Sequence, residues 1–406
     1  MIDFKLYLTD KYYSQMYQHL RDIGVKIPIT GTNWICRGYD FHASHKNMDF
    51  MDTHPYVTNW KWDTDRTFLD TSITSMTNPR NISSRMCVAG KPFFLSEWDM
   101  PWPNPYRAES AIFYAAVACL HNWSGLAVHT YAYSTRVDKH DPLGRETTTC
   151  IGNSLSREGI FTVWNDWARF GLFYHAALMV RRRDVRPSDR KVAISAADMR
   201  QHSNRAFGDS LELFKTAFTL EENVPEGYEE RILDTDAVSS PNPQMRVSCT
   251  GQMRRHLTKQ VGIVDSERTK IVYGTLTNAA GPDLAINDME IHAATDFGVI
   301  ALSSLTDDAI TDSENMLLSA IGKVRNTGQI FDGNHLAELG TTPIVAELIQ
   351  ADIHIKNRFG ERIVVWGINA EGTYVKRMPT TCKDGWISFT IGVPMAPACY
   401  YLIFKE

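Results

Sequence analysis

Pro92-Phe-Phe-Leu-Ser-Glu-Trp98 is the stretch on which the reading of this chain turns. Its first half is apolar enough for a buried strand. Its second half then places a hydroxyl and a carboxylate where the interior of a core would carry neither. Three other stretches share this grammar: Ile27-Pro-Ile-Thr-Gly-Thr-Asn-Trp34, Met48-Asp-Phe-Met-Asp-Thr-His-Pro-Tyr56 and Gly125-Leu-Ala-Val-His-Thr-Tyr131. Helical patterns flank them. Tyr12, Met16, Leu20 and Ile23 repeat at helical spacing before Gly24, residues 108–123 form an apolar helical run, and residues 162–181 place Phe170, Phe173, Ala177 and Val180 on one face. That last face reads as core. Strands alternating with helices, each strand ending in polar residues, predict parallel βα units with a site at the strands' C-terminal ends.

From about Arg186 the pattern changes. Residues 186–244 read as a partly helical connecting region that ends in a loop rich in Ser, Pro and Asn. Beyond it, β-favouring runs at 269–276, 297–302, 344–354, 363–368, 386–391 and 400–404 are separated by turn residues such as Gly281-Pro282 and Asp384-Gly385. This spacing predicts a β-sandwich over residues 245–406.

Composition narrows the function classes. The 406 residues carry a formal net charge of −5, with 43% hydrophobic and 22% charged residues. No basic field is present to meet a nucleic-acid backbone, and no apolar run reaches the roughly 18 residues of a membrane span. Seven cysteines are scattered without a CxxC pair, the pattern of reduced thiols and not of a disulfide framework or zinc site. The N-terminus lacks the basic start and apolar core of a secretory signal and runs straight into a helix, as if entered in mid-fold. Localisation therefore stays open. Neither a Gly-x-Ser-x-Gly elbow, a phosphate-binding Gly-rich loop with Lys-Ser/Thr nor a dinucleotide fingerprint occurs.

Glu97 is the residue most suited to chemistry. A carboxylate at a strand end points into the mouth of a site, and cleavage of a glycosidic bond with retention needs such a group as nucleophile, with a second carboxyl about 5 Å away. Trp34, Tyr56, Trp60, Trp62, Trp98, Trp102 and Tyr131 fall at or just after the predicted strand ends, where ring faces cover the apolar face of a pyranose. Asn33, His54 and His129 are placed to bond hydroxyls. The plainer alternative for Glu97 is a structural ion pair with Arg107.

The ordered set Ile-Thr-Gly-Thr-Asn-Trp34, Asp-Thr-His-Pro-Tyr56, Phe-Leu-Ser-Glu-Trp98 and Val-His-Thr-Tyr131 resembles strands five to eight of a retaining glycoside hydrolase barrel, of the cellulase-like and β-galactosidase-like clan. The resemblance covers residues 1–185 and implies a partial TIM-type (β/α) barrel, an α/β fold, followed by an accessory β-domain. It implies Glu97 as nucleophile and Tyr56 as the residue that orients it. Asn33, Trp34, His54, Trp62, Trp98, Trp102, His129 and Tyr131 would line the sugar subsites. It implies an oligo- or polysaccharide substrate and no metal or organic cofactor. Members of the clan carry the acid/base Glu after strand four, ahead of the helix that opens this chain. Glu109, Glu146 and Glu158 do not sit where that residue belongs. The chain is therefore expected to bind glycans and to turn them over poorly, since general acid catalysis contributes about 10²–10⁴-fold. Half a barrel also exposes strand edges, so a missing N-terminal half or a homo-oligomer is expected to cover them. The competing class is a non-catalytic carbohydrate-binding fragment.

Overall fold

The strands Met51–Asp52, Phe93–Leu95 and Gly125–Leu126 lie side by side in a parallel sheet. A single parallel bridge from Thr30 to Phe50 extends the first edge, and another joins Tyr56 to Asp99 beyond the strand ends. The computed structural model describes residues 2–33, 43–57, 59–60, 68–69, 71–76, 87–132, 150–152, 160–195, 211–230, 244–369 and 371–406. Gly125 has to be glycine because the ring of Phe94 takes the space beside it; a Cβ there would stand 2.7 Å from that ring.

The helix Glu109–His121 connects the second and third strands and is buried along all 13 of its residues. A helix apolar on every side belongs inside a protein. This one packs on the helix Phe173–Arg182 and shares a continuous core with Met253, Val264, Ile271 and Val299 of a large antiparallel sheet.

These features overturn the expected partial (β/α) barrel. That half-barrel needs four adjacent parallel strands, each joined to the next through a helix and tilted as in a barrel. Among the described residues this sheet has three strands of two or three residues each, and only one of its two steps is made by a helix. The next strand, Lys191–Ile194, does not continue it. It pairs instead with Lys215–Phe218 and Glu229–Glu230 in a separate parallel sheet. The helix that a barrel would leave half-solvated is sealed by the antiparallel region. Within 186–244, read as partly helical, the described residues carry these short strands and no helix.

Beyond residue 244 the described chain is dominated by antiparallel strands. One sheet of nine runs in the order Tyr374–Arg377, Ile363–Ile368, Tyr400–Lys405, Asn315–Ile321, Phe297–Ser304, Thr269–Thr275, Val261–Asp265, Met253–His256 and Met245–Val247. A second sheet joins Met289–Ala293, Ala351–Lys356, Trp386–Ile391 and Thr381–Lys383. Val272, Ile300 and Leu318 of the first sheet meet Ile353, Ile355 and Phe389 of the second in a shared core. β-branched and aromatic side chains suit such pleated, half-buried surfaces. The run 344–354, read as one strand, is two: Thr341–Ala346 pairs with Val324–Thr327, and Ala351–Lys356 enters the smaller sheet.

Two helices turn a face other than the apolar one toward the protein. In Ile2–Asp22 the Tyr17 hydroxyl donates to Asp49 Oδ1 at 2.9 Å and Arg21 pairs with the same carboxylate. Phe4, Leu8, Tyr12 and Met16 are left 42–63% exposed. In Phe173–Arg182 the buried residues are His175, Ala176 and Met179. The His175 ring is held between the hydroxyls of Ser303 and Ser319, each at 2.8 Å, and this sets the rotation of the helix. Phe170 and Ala177, expected in the core, consequently face solvent, while Phe173 and Val180 are half-buried.

Candidate functional site

Glu97 lies two residues past the strand Phe93–Leu95, with its side chain 21% exposed. The Tyr56 hydroxyl donates to its Oε2. His54 Nδ1 stands 3.3 Å from Oε2, and His129 Nδ1 stands 3.6 Å from Oε1 on the other side. The three parallel segments thus deliver one phenol and two imidazoles to one carboxylate. Phe161 backs the arrangement, its ring 5.1 Å from that of Tyr56 and 5.3 Å from that of His129.

His54 is oriented from behind. Ser96 Oγ donates to Asp52 Oδ2 at 2.7 Å, and the Ser96 amide bonds Asp52 Oδ1. With its single proton committed to Asp52, Ser96 Oγ accepts from His54 Nε2–H at 2.8 Å. The Nδ1 edge is thereby turned to Glu97, an attraction that exists when the imidazole is protonated.

The floor beneath Glu97 is a fully buried ion network. Asp99, two residues on, pairs with Arg169; Arg169 and Arg107 both donate to Asp166 at 2.7 Å. Burial opposes charge on Asp166, but the guanidinium groups of Arg107 and Arg169 together hold its carboxyl below the usual range. Asp99 O also accepts from the Val57 amide at 3.0 Å, so the network is tied to the loop that carries Tyr56. Arg107 reaches further, to the Val324 carbonyl at 2.8 Å, and so anchors this region to the antiparallel part of the chain. Arg107 therefore belongs to Asp166; among the described residues the ionisable and hydrogen-bonding partners of Glu97 are Tyr56, His54 and His129.

Several predicted site residues lie elsewhere. Trp98 and Trp102 are 2% and 1% exposed. Trp98 packs on Tyr114 and Phe173, and Trp102 closes over Gly152, where a Cβ would meet its ring at 2.4 Å. Neither offers a ring face to a sugar, which corrects their expected role as subsite walls. Asn33 is exposed and makes none of the contacts to Glu97, whereas Tyr131 is exposed two residues past His129. Trp34, Trp62, Glu146 and Glu158 lie outside the described residues. Glu109 is fully buried, accepting from Ser72 Oγ, the Ile73 amide and Thr74 Oγ1. Burial pushes its carboxyl up to about 7 despite those bonds.

Sequence reasoning missed Asp52, Asp99, Phe161, Asp166 and Arg169. Only Asp166 left a local signal, as the N-cap of the short helix Trp167–Phe170, where its side chain accepts from the Ala168 amide. No group of three or more His, Cys, Asp and Glu side chains able to hold a metal occurs among the described residues. No described helix is long and apolar enough to cross a membrane. Compared with protein-family models, curated proteins and solved structures, the chain gave no match.

Proposed function

We propose that this protein hydrolyses β-linked glycosides with retention of configuration, with Glu97 as the nucleophile. The observation that supports this is the carboxylate itself: partly exposed and gripped by a phenol and two imidazoles where three parallel segments end. In the first step a Glu97 oxygen attacks the anomeric carbon, and the glycosidic bond's electron pair leaves on the aglycone oxygen. Water then attacks the same carbon, releases the sugar and regenerates the carboxylate. Tyr56 holds Oε2, leaving the reacting lone pairs aimed and partly desolvated. His54 and His129 flank the carboxylate, their Nδ1 atoms 3.3 Å and 3.6 Å from its two oxygens. The Glu97 contacts include no second carboxyl among the described residues. The activity is therefore expected first on substrates whose leaving group departs without protonation.

The test is hydrolysis of a panel of dinitrophenyl β-glycosides by wild type and Glu97→Gln, with mapping of a 2-deoxy-2-fluoroglycosyl label. Turnover by wild type, loss in the variant and a label on Glu97 are expected. Turnover that survives Glu97→Gln, or a label on another residue, removes Glu97 from the role. No turnover and no label on any sugar, with glycan binding retained, would leave a carbohydrate-binding protein without hydrolysis.

A further inference from the structure

Beside the Glu97 site the surface carries rings that no core requires. Tyr131, Phe170 and Trp167 are 58%, 45% and 37% exposed. The ring of Tyr131 stands 5.7 Å from that of Phe170, which in turn stands 5.8 Å from Phe173. Trp167 and Phe170 are three residues apart in one helical turn and so share a face. Trp167 also opens onto a cleft of about 400 Å³ that includes Asn369, Glu371 and Tyr400. Exposed aromatic rings thus run from the residue two past His129 toward a cleft bearing an amide and a carboxylate.

We propose that Tyr131, Phe170 and Trp167, with Asn369 and Glu371, form a binding track for an extended, uncharged β-linked polysaccharide, and that the substrate is a polymer chain. That the track feeds catalysis rests on the assignment of Glu97 as a glycosidase nucleophile; that it binds glycan does not. β-linked chains form flat ribbons whose rings show apolar C–H faces and whose edges carry hydroxyls. Such ribbons need aromatic platforms with amide and carboxylate groups at intervals, and this surface offers both. The track begins two residues past His129, whose Nδ1 stands 3.6 Å from Glu97 Oε1.

The test is affinity electrophoresis through gels containing soluble β-glucan, β-mannan or β-galactan, with the Glu97→Gln protein as the non-hydrolysing background. At least one polymer is expected to retard it. Adding Trp167→Ala and Phe170→Ala is expected to weaken that retardation at least tenfold, while Trp167→Phe with Phe170→Tyr, which keep both rings, restores it. Retardation unchanged in the double alanine variant, or absent with every polymer, overturns the track. So does a sedimentation mass that falls in that variant, which would assign the face to self-association. Failure of the wild type to cleave dinitrophenyl glycosides would strike only the catalytic assignment, because the binding result is read without turnover.

Discussion

Two buried histidines should each weaken this protein in mild acid, against an opposite contribution from Asp99 and Glu109, whose buried carboxyls are raised to about 7 and gain protons on folding over the same range; the histidine part can be worked from their surroundings. The His175 ring sits between Ser303 Oγ and Ser319 Oγ with no exposure to solvent, and burial, with Arg182 nearby, pushes its basicity down to about 3. His121 donates Nε2–H to the Leu211 carbonyl at 2.8 Å, while its buried Nδ1 has no hydrogen-bond partner. Burial, assisted by Lys215, lowers it to about 4 although the Leu211 bond works the other way. A proton on either ring would be a buried charge without a carboxylate to meet it. In the unfolded chain both rings titrate near about 6.5. The folded values are depressed, so the contribution is fully present above that pH and is lost as pH falls toward the folded values. At pH 5 each ring lies about 1.5 units below its unfolded midpoint, which at about 1.36 kcal/mol per unit is about 2 kcal/mol per histidine and about 4 kcal/mol for both. Urea unfolding at pH 7.5 and 5.0 measures this. His175→Gln is expected to lower stability at pH 7.5 by about 1–2 kcal/mol through its lost hydroxyl bonds, yet to shift the stability difference between the two pH values by about 2 kcal/mol in favour of pH 5.0. A variant whose stability difference between the two pH values equals that of wild type, or a His175 NMR titration with a midpoint near 6, would refute the reasoning.

Three further outcomes are expected. Tyr56→Phe removes the charge-assisted bond to Glu97, about 1.5–3 kcal/mol, and on the proposed glycosidase reading should cut kcat on activated glycosides about 10- to 100-fold with KM little changed; equal kcat would show that Tyr56 does not orient Glu97 for catalysis. Arg255→Met strands the buried Glu212 carboxylate and removes the donor that reaches the Ile73 and Met76 carbonyls, so chemical denaturation should show a loss of about 3–5 kcal/mol, partly recovered when Glu212→Gln is added. Gly171→Ala would place a methyl 2.6 Å from the Tyr400 hydroxyl and from the Trp167 carbonyl, at about 1–3 kcal/mol. Tyr400→Phe should relieve part of that loss, and full stability in the single variant would mean that the Trp167–Phe170 turn yields freely.

How much of the site was legible depends on the range over which each residue's role is set. Glu97, Tyr56, His54 and His129 could be read because strand ends with polar and aromatic residues stand out locally, and the structure brings these four together. Asp99, Asp166 and Arg169 could not be read. They are spread over 71 positions as charged residues that look like ordinary surface until folding buries them against one another. Trp98 and Trp102 were misread for the converse reason: an indole after a strand end looks the same in a core as on a sugar platform, and burial alone separates the two.

Local conformation followed from local pattern. The helices over 2–22 and 109–121 and the strands at 93–95, 269–275, 363–368, 386–391 and 400–405 lie where periodicity and turn residues placed them, because spacing of apolar side chains and steric limits on the backbone act over a few residues. The run 162–181, by contrast, divides into Trp167–Phe170 and Phe173–Arg182. Closure and orientation were decided only in three dimensions. Among the described residues, parallel strands with a barrel's grammar form a three-stranded sheet, and the helix between two of them is covered by the antiparallel region. The faces of two helices were likewise chosen by distant partners: Asp49 holds Tyr17 and Arg21, while Ser303 and Ser319 hold His175. Burial is a property of the pair of surfaces that meet, and a sequence displays only one of them at a time.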